Sequence, residues 1–257
     1  MIRAFGIIGI ALLAGCSEKP VDEAAFGIAP ENIRSGYEFL TAETQALQND
    51  DFANPGLLWV QTGQGLFQDG GCAACHNDPG TEFRSVASTF PALDPQSGKL
   101  INLEGRINLC RTRHQSLPEL PYESDDLLAL TTFVKSRARG GTIDYQITDA
   151  LQPHFAAGQN YFYSKRGQFN LSCNQCHDEN AGAKMRGDTV SQGHINGFPA
   201  YRNDWQTLGS SHRRFEACDI AVRADPPALG SQTYLDLEVY LTARGNGLTS
   251  ESPAIRR

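Results

Sequence analysis

Two segments of the chain have apolar residues every three or four positions, which is the spacing of an α-helix with one buried face. The first is DDLLALTTFVKSRA, which follows Ser124 and stops at Gly140. The second is QTYLDLEVYLTAR, which follows Ser231 and stops at Gly245. Serine favours the N-cap and glycine favours the end of a helix, so both segments are predicted to be helices. Their apolar faces, interpreted as core, contain Leu127, Leu130, Val134, Tyr234, Leu237 and Leu241.

Ahead of each predicted helix, the same short patterns occur in the same order. They are G-Q-x-x-F at 63–67 and 158–162, C-x-x-C-H at 72–76 and 173–177, Phe-Pro-Ala at 90–92 and 198–200, and R-x-x-x-C at 106–110 and 214–218. A repeat on this scale predicts an internal duplication. Because strand signals are weak, the predicted fold is mainly α, with two tandem domains at 31–142 and 143–250 and a tail at 251–257.

The overall composition describes a globular protein, with 40% hydrophobic and 20% charged residues. Its formal net charge of −7 gives no general attraction for nucleic acid, so no nucleic-acid partner is predicted. An anionic ligand would therefore need a local cluster of basic side chains.

The N-terminus is typical of an export signal. An early arginine precedes an apolar run at 4–14 that is too short to span a membrane as a helix. Leu-Ala-Gly-Cys at 13–16 resembles a bacterial lipobox, although an ordinary signal with an incidental cysteine is the alternative. We predict a lipoprotein-type signal peptide at 1–15 and an anchor and linker at 16–30. The protein is predicted to be periplasmic, with lipidated Cys16 as an anchor to the outer membrane.

Both C-x-x-C-H motifs are haem-attachment sequences. Their thiols can form thioethers with the two vinyl groups of one haem, and the adjacent histidine then reaches the iron. A redox-active disulfide or a zinc site built from both cysteine pairs is the alternative, but a Cys₄ zinc site leaves both histidines unexplained. The chain is therefore predicted to carry two covalently bound haem c groups, attached at Cys72, Cys75, Cys173 and Cys176 and ligated by His76 and His177.

The duplication also narrows the choice of ligand on the far side of each iron. Methionine is nearly excluded, because Met1 lies in the signal and Met185 is only eight residues beyond His177. Cys110 and Cys218 occupy matching positions in the two repeats, whereas no pair of histidines does.

An arginine four residues before each of these cysteines would share its helical face and favour the thiolate that iron binds. The main alternative is a disulfide between Cys110 and Cys218. His194 and His212 are further candidates for the iron ligand, although packing beside the haem is the role we expect of them.

The same residues resemble a known family, the A subunits of the SoxAX cytochromes of bacterial thiosulfate oxidation. The resemblance covers nearly the whole mature chain and rests on both haem motifs, on RINLCR, and on GHINGFPAYR followed by RRFEAC. It implies a cytochrome c fold around each haem, with His76 and Cys110 on the first iron and His177 and Cys218 on the second. The lipobox departs from the family, whose members are usually soluble in the periplasm.

The resemblance further implies an activity, that of an L-cysteine S-thiosulfotransferase. Thiosulfate would be joined oxidatively to a cysteine of the SoxYZ carrier protein, with electrons passing through haem to an acceptor cytochrome c. A SoxX-type monohaem subunit would complete a heterodimer. Cys218 would be the catalytic cysteine, found as a persulfide in the family, and Arg214 would bind the substrate. Arg202, Arg213 and Arg223 are left without a role.

Two other functions share the haem motifs. A dihaem electron carrier would need no reactive sulfur, and the arginines beside Cys218 argue against it. A dihaem peroxidase needs an open position on one iron, and two thiolate ligands argue against that.

Overall fold

A computed structural model of the chain describes residues 26–257, so the predicted signal, Cys16 and most of the predicted linker lie outside the described residues. The helices are α1 (Ala42–Asn49), α2 (Gly56–Asp69), α3 (Pro79–Glu82), α4 (Leu103–His114), α5 (Asp125–Ser136), α6 (Gln152–Tyr163), α7 (Cys173–His177), α8 (Ser211–Ala221) and α9 (Gln232–Arg244). The strands are β1 (Ala92–Leu93), β2 (Leu100–Ile101), β3 (Lys184–Met185), β4 (Asp188–Thr189), β5 (Ala200–Arg202), β6 (Thr207–Gly209) and β7 (Ala254–Arg256). The mainly α prediction is confirmed. In this part of the chain, no helix has both the length and the apolar character to cross a membrane.

Two helix pairs form the framework of the molecule. α2 packs against α5, and α6 packs against α9. α5 and α9 are the two helices predicted from apolar spacing, and their predicted starts after Ser124 and Ser231 are confirmed. α9 ends at Arg244, directly before Gly245 as predicted, whereas α5 ends at Ser136, four residues ahead of Gly140. All six residues of the predicted apolar faces are buried.

A glycine in each pair brings the two helices into backbone contact. A Cβ on Gly63 would lie 2.0 Å from the carbonyl oxygen of Ala129 in α5. A Cβ on Gly158 would lie 2.0 Å from the carbonyl oxygen of Asp236 in α9. Both glycines begin a G-Q-x-x-F pattern, so the pattern positions the segment ahead of each haem motif against the closing helix.

Residues 251–257, expected to be a tail, contribute a buried strand instead. β7 pairs in parallel with β5, which pairs antiparallel with β6. The segment around α1 covers this sheet, because Gln48 Oε1 accepts hydrogen bonds from Ile255 N at 3.0 Å and from Arg256 Nη1 at 2.8 Å. The start of the predicted first domain therefore packs against strands of the predicted second domain and the tail.

Four charged side chains from α4, α5, α8 and α9 meet in the interior. They are Glu104, Lys135, His212 and Glu238, and all but His212 line a cavity of about 20 Å³. His212 Nε2 lies 2.9 Å from Glu238 Oε2. Burial, and then the charge of Glu238, raise the pKa of Glu104 above its usual range. Burial opposes the His212 cation, but the hydrogen bond that His212 donates to Glu238, and the charge of Glu238, outweigh this and raise the pKa of His212.

Glu104→Gln is expected to flatten the pH dependence of stability. The pKa of Glu104 is higher in the folded protein than in the unfolded chain, where it is 4.5. Its contribution to the free energy of unfolding is therefore fully present below pH 4.5 and is lost as the pH rises through the folded-state pKa. The pKa of His212 is also raised, so its contribution to stability is likewise lost as the pH rises above 6.5. At neutral pH the variant should therefore be more stable than the wild type by about 1–3 kcal/mol, since each tenfold change in a protonation equilibrium corresponds to about 1.4 kcal/mol.

Urea unfolding across this pH range measures the effect, with the exposed Glu119→Gln as the matched control. Parallel stability curves for wild type and Glu104→Gln would contradict a raised pKa at this position.

Candidate active site

The second C-x-x-C-H motif forms the short helix α7, which begins at a capping box. Ser172 N donates to Gln175 Oε1 at 3.0 Å, which fixes the first turn. His177 Nδ1 lies 2.7 Å from the carbonyl oxygen of Ser191. Because a carbonyl only accepts, Nδ1 carries the proton and Nε2 remains as the ligand atom. Gly193, with φ of 77°, allows the chain to pass the ring, since a Cβ there would lie 2.8 Å from His177 Cγ.

Cys218 lies on α8, and its side chain is hydrogen-bonded to His177. Burial disfavours the Cys218 thiolate, but the charge of Arg214 and the hydrogen bond with His177 outweigh it and lower the pKa of the thiol to about 7. An imidazole nitrogen and a thiolate sulfur are both ligands that haem iron accepts. The donor set therefore fits a haem c held between α7 and α8.

Arg214 is the arginine of this helix whose charge acts on the sulfur. It lies one helical turn before Cys218, as its spacing predicted, and within residues 26–257 no carboxylate pairs with its guanidinium. Arg213 instead stacks on Trp205, with its guanidinium 4.4 Å from the centroid of the ring. Arg223 follows the end of α8 and stacks on an exposed phenylalanine at 4.9 Å. Of the three arginines on α8 and just after it, Arg214 is thus the one left free to bind an anion beside Cys218.

The first C-x-x-C-H motif lies against the end of α4, the helix that carries Cys110. Gln115, just after α4, brings its Nε2 to 3.6 Å from Cys72 Sγ. His76 Nδ1 lies 2.6 Å from Glu82 Oε2, which leaves Nε2 as the ligand atom here too. The residues needed to hold a haem c are therefore present on neighbouring elements.

The arginine ahead of Cys110 has a different environment from Arg214. Arg106 Nη1 lies 3.9 Å from Asp94 Oδ1. Arg113 binds the same carboxylate through two nitrogens, each at 2.7 Å, and these hydrogen bonds hold the pKa of Asp94 well below its usual range. A carboxylate thus offsets the basic residues near Cys110, while none does so at Arg214 in the described chain.

The alternatives raised for the cysteines do not form in the described residues. Cys110 and Cys218 are both free thiols, so no disulfide joins them. Between residues 26 and 257, no three His, Cys, Asp or Glu side chains converge as a metal site, so the four motif thiols do not build a zinc centre.

The two histidines considered as iron ligands are both buried and packed. His212 Nε2 is engaged by Glu238, and its ring stacks on Tyr122 with centroids 5.9 Å apart. Burial, and then the charges of Arg244 and His177, lower the pKa of His194 to about 3, so its ring is neutral. Both positions are compatible with the packing role expected of them.

A buried network next to Cys218 was not foreseen from the sequence. Asp219 is 1% exposed and accepts hydrogen bonds from Arg166 Nε at 2.5 Å, Tyr161 Oη at 2.6 Å and Tyr234 Oη at 2.8 Å. Arg166 Nη2 also lies 2.9 Å from Cys173 Sγ. The network ties α8 to α6, α7 and α9, and so sets the rotation of α8 that directs Cys218 to His177. Its one sequence signal is an aspartate directly after Cys218.

Comparison with known proteins shows the family to which this chain belongs. A model of the SoxA/TsdA cytochrome c domain matches residues 62–143, and such a domain binds haem c covalently. The L-cysteine S-thiosulfotransferase subunit SoxA of Pseudaminobacter salicylatoxidans is 33% identical over 97% of this chain and 94% of that protein. The subunit of the same name from Rhodovulum sulfidophilum is 35% identical over 88% of this chain and 81% of that protein.

The fold is also similar to that of a solved structure. The crystal structure of SoxXA from P. pantotrophus matches 88% of this chain and 87% of that chain, with a TM-score of 0.83 and 32% sequence identity. The resemblance inferred from the cysteine motifs is thereby confirmed, and this chain belongs to the SoxA family of c-type cytochromes.

Proposed function

We propose that this chain is the haem-bearing subunit of an L-cysteine S-thiosulfotransferase that couples thiosulfate to a carrier cysteine. The observation that carries the proposal is the half-buried Cys218, which is hydrogen-bonded to His177 and acted on by the charge of Arg214. A dianionic substrate needs such a local cation in a chain of net charge −7. The reaction joins the carrier thiol to thiosulfate as an S-thiosulfonate and releases one proton and two electrons.

In this reaction the residues of the site have separate tasks. Arg214 binds the sulfonate oxygens of thiosulfate, since a guanidinium offers a fork of N–H donors to an oxyanion. Cys218 supplies the reactive sulfur, and its pKa, lowered to about 7, makes the thiolate well populated near neutral pH. His177 is hydrogen-bonded to that sulfur and would, together with Cys218, hold the haem. A haem c bound here would relay the two electrons, one at a time, to the acceptor cytochrome.

We infer two haem c groups, one in each of two duplicated, cytochrome c-like halves at 31–142 and 143–250. Support comes from the two complete C-x-x-C-H motifs and from the equivalent glycine contacts of α2 on α5 and of α6 on α9. Cys72 and Cys75 would attach the haem ligated by His76 and Cys110. Cys173 and Cys176 would attach the haem ligated by His177 and Cys218.

The partners follow from the reaction and from the family. SoxXA is the complex seen in the similar crystal structure, which supports a SoxX-type monohaem subunit as the partner here. The thiol acceptor would be the SoxYZ carrier protein, and an acceptor cytochrome c would remove the electrons. The proposed location is the periplasm, with Cys16 as a lipid anchor in the outer membrane. This rests on the export signal, the lipobox and the haem motifs of the sequence.

Arg214→Gln is expected to lower kcat/KM for thiosulfate coupling about 10- to 100-fold, since a hydrogen bond to a charged group contributes about 1.5–3 kcal/mol. The assay combines the haem-loaded complex, thiosulfate, the carrier and an oxidised cytochrome c. Mass spectrometry of the carrier cysteine measures the product.

Arg34→Gln is the matched control, because Arg34 is an exposed arginine whose ion pair is with Glu38, four residues further along the chain. It should retain wild-type activity. Wild-type protein that reduces cytochrome but never modifies the carrier would be a plain electron carrier, and the proposed function would be wrong.

A further inference from the structure

Arg202, at the end of β5, is a second arginine of the active-site region, and it is buried. Only 7% of it is exposed, and its Nε has no hydrogen-bond partner in the described chain. Among residues 26–257, the carboxylate within ion-pair distance is Asp204, which lies 3.4 Å from Nη2 and is itself 61% exposed. A guanidinium removed from water normally finds several partners, so these contacts leave Arg202 incompletely satisfied.

The position of Arg202 is set by an aromatic ring. Its guanidinium lies 4.9 Å from the centroid of Trp205, and Arg213 occupies a site 4.4 Å from the same centroid. Trp205 in turn lies over Gly209, where a Cβ would come within 2.3 Å of the ring. The β5–β6 hairpin runs directly into α8, so the ring, Arg202 and the reactive helix are built from one continuous stretch of chain.

Arg202 on β5 and Arg214 on α8 therefore lie within electrostatic range of one another. The charge of Arg202 interacts with those of Arg214 and Cys218. Burial, and then the charge of Arg214, lower the pKa of Arg202 to about 10, so it remains charged at neutral pH. Two like charges that interact, one of them buried, are stabilised by an anion that offsets them. Cys218 supplies one negative charge, Asp204 is exposed, and Asp188 is paired with Arg257, which leaves room for a further anion.

Building on the function proposed above, we propose that Arg202 is a substrate-binding residue that holds the sulfonate end of thiosulfate together with Arg214. The two guanidinia would share the three sulfonate oxygens and leave the terminal sulfur directed at Cys218. The site would thus select a small oxyanion with two negative charges. Trp205 is a positioning residue, since it acts by holding Arg202.

The test is the dissociation constant of thiosulfate for the haem-loaded, full-length chain, measured calorimetrically without any carrier protein. Arg202→Gln should raise the Kd about 10- to 100-fold, the effect of losing a charged hydrogen-bonding partner. Arg202→Lys keeps the charge but not the planar fork and should give a smaller increase. Trp205→Leu should also raise the Kd, while Arg34→Gln should leave it unchanged.

The Kd values of the Arg202 variants decide whether Arg202 binds the substrate. Wild-type Kd values in both Arg202 variants would overturn the proposal. A shifted Soret band or reduction potential with an unchanged Kd would also overturn it, because Arg202 would then serve a haem propionate. If Arg202→Gln fails to load haem, the Kd values of Arg202→Lys and Trp205→Leu decide instead.

Failure here is distinct from failure of the proposed function. A wild-type protein that binds thiosulfate through Arg202 but forms no S-thiosulfonate would leave the anion site intact and remove the transferase activity. If the wild-type protein forms the product and the Arg202 variants bind thiosulfate normally, the transferase activity stands and the role of Arg202 is wrong.

Discussion

Cys218→Ala is expected to lower thiosulfate coupling to background, a loss of at least about 10³-fold, as when a covalent nucleophile is removed. The thiolate of Cys218 is stabilised by Arg214 and His177, so alanine removes the reactive sulfur and the partner of His177 together. Coupling is measured by the mass of the carrier cysteine. The oxidised protein should also lose a low-spin, thiolate-type EPR signal, because the same sulfur is proposed as an iron ligand.

Cys110→Ala is the matched control for this substitution. Cys110 lies at the same position of the repeat, but the arginines around it are bound to Asp94 rather than left free. It should lose the other thiolate-type signal and keep carrier modification measurable. Two signals, each lost with its own cysteine, would count two haem groups. Survival of both signals in both variants would contradict the proposed ligands, and full activity of Cys218→Ala would contradict the proposed chemistry.

The features that the sequence predicted well depend on local spacing. The apolar faces of α5 and α9 follow the helical period, so their existence and starts could be predicted from the chain alone. Arg214 and Cys218 are four residues apart, and a helix of any orientation places such a pair on one face. From the duplication, Cys110 and Cys218 were also chosen over the histidines as iron ligands, and that choice stays a prediction.

The features that the sequence did not predict depend on contacts between distant segments. β5 and β7 are three residues long, too short for an alternating pattern, and they pair across about fifty residues of chain. The buried charges of Glu104 and Glu238 look like ordinary helix-surface residues until their helices are packed together. The burial of Arg202 likewise depends on how the β5–β6 hairpin folds against α8.

Gly63→Ala is expected to destabilise the protein by about 3 kcal/mol, the upper part of the range for overpacking. The new Cβ would lie 2.0 Å from the carbonyl oxygen of Ala129 and 2.8 Å from Phe133 Cβ. A backbone oxygen cannot rotate away as a side chain can, so α2 and α5 would have to separate. Urea unfolding of the haem-loaded protein measures the loss, and the haem content of the purified chain reports any failure to assemble.

Gly65→Ala provides an unusually close control, since it lies two residues away on the same helix and makes the same chemical change. A Cβ on Gly65 would meet nothing within 4 Å. Alanine is the better helix former, so this variant should gain roughly 0.5–1 kcal/mol. The two substitutions are thus expected to change the free energy of unfolding in opposite directions. Both gain the same helix propensity, and only the substitution at Gly63 introduces a clash with α5. Equal stabilities would mean that α2 does not approach α5 through its backbone, and the equivalence of Gly63 with Gly158 would then lose its basis.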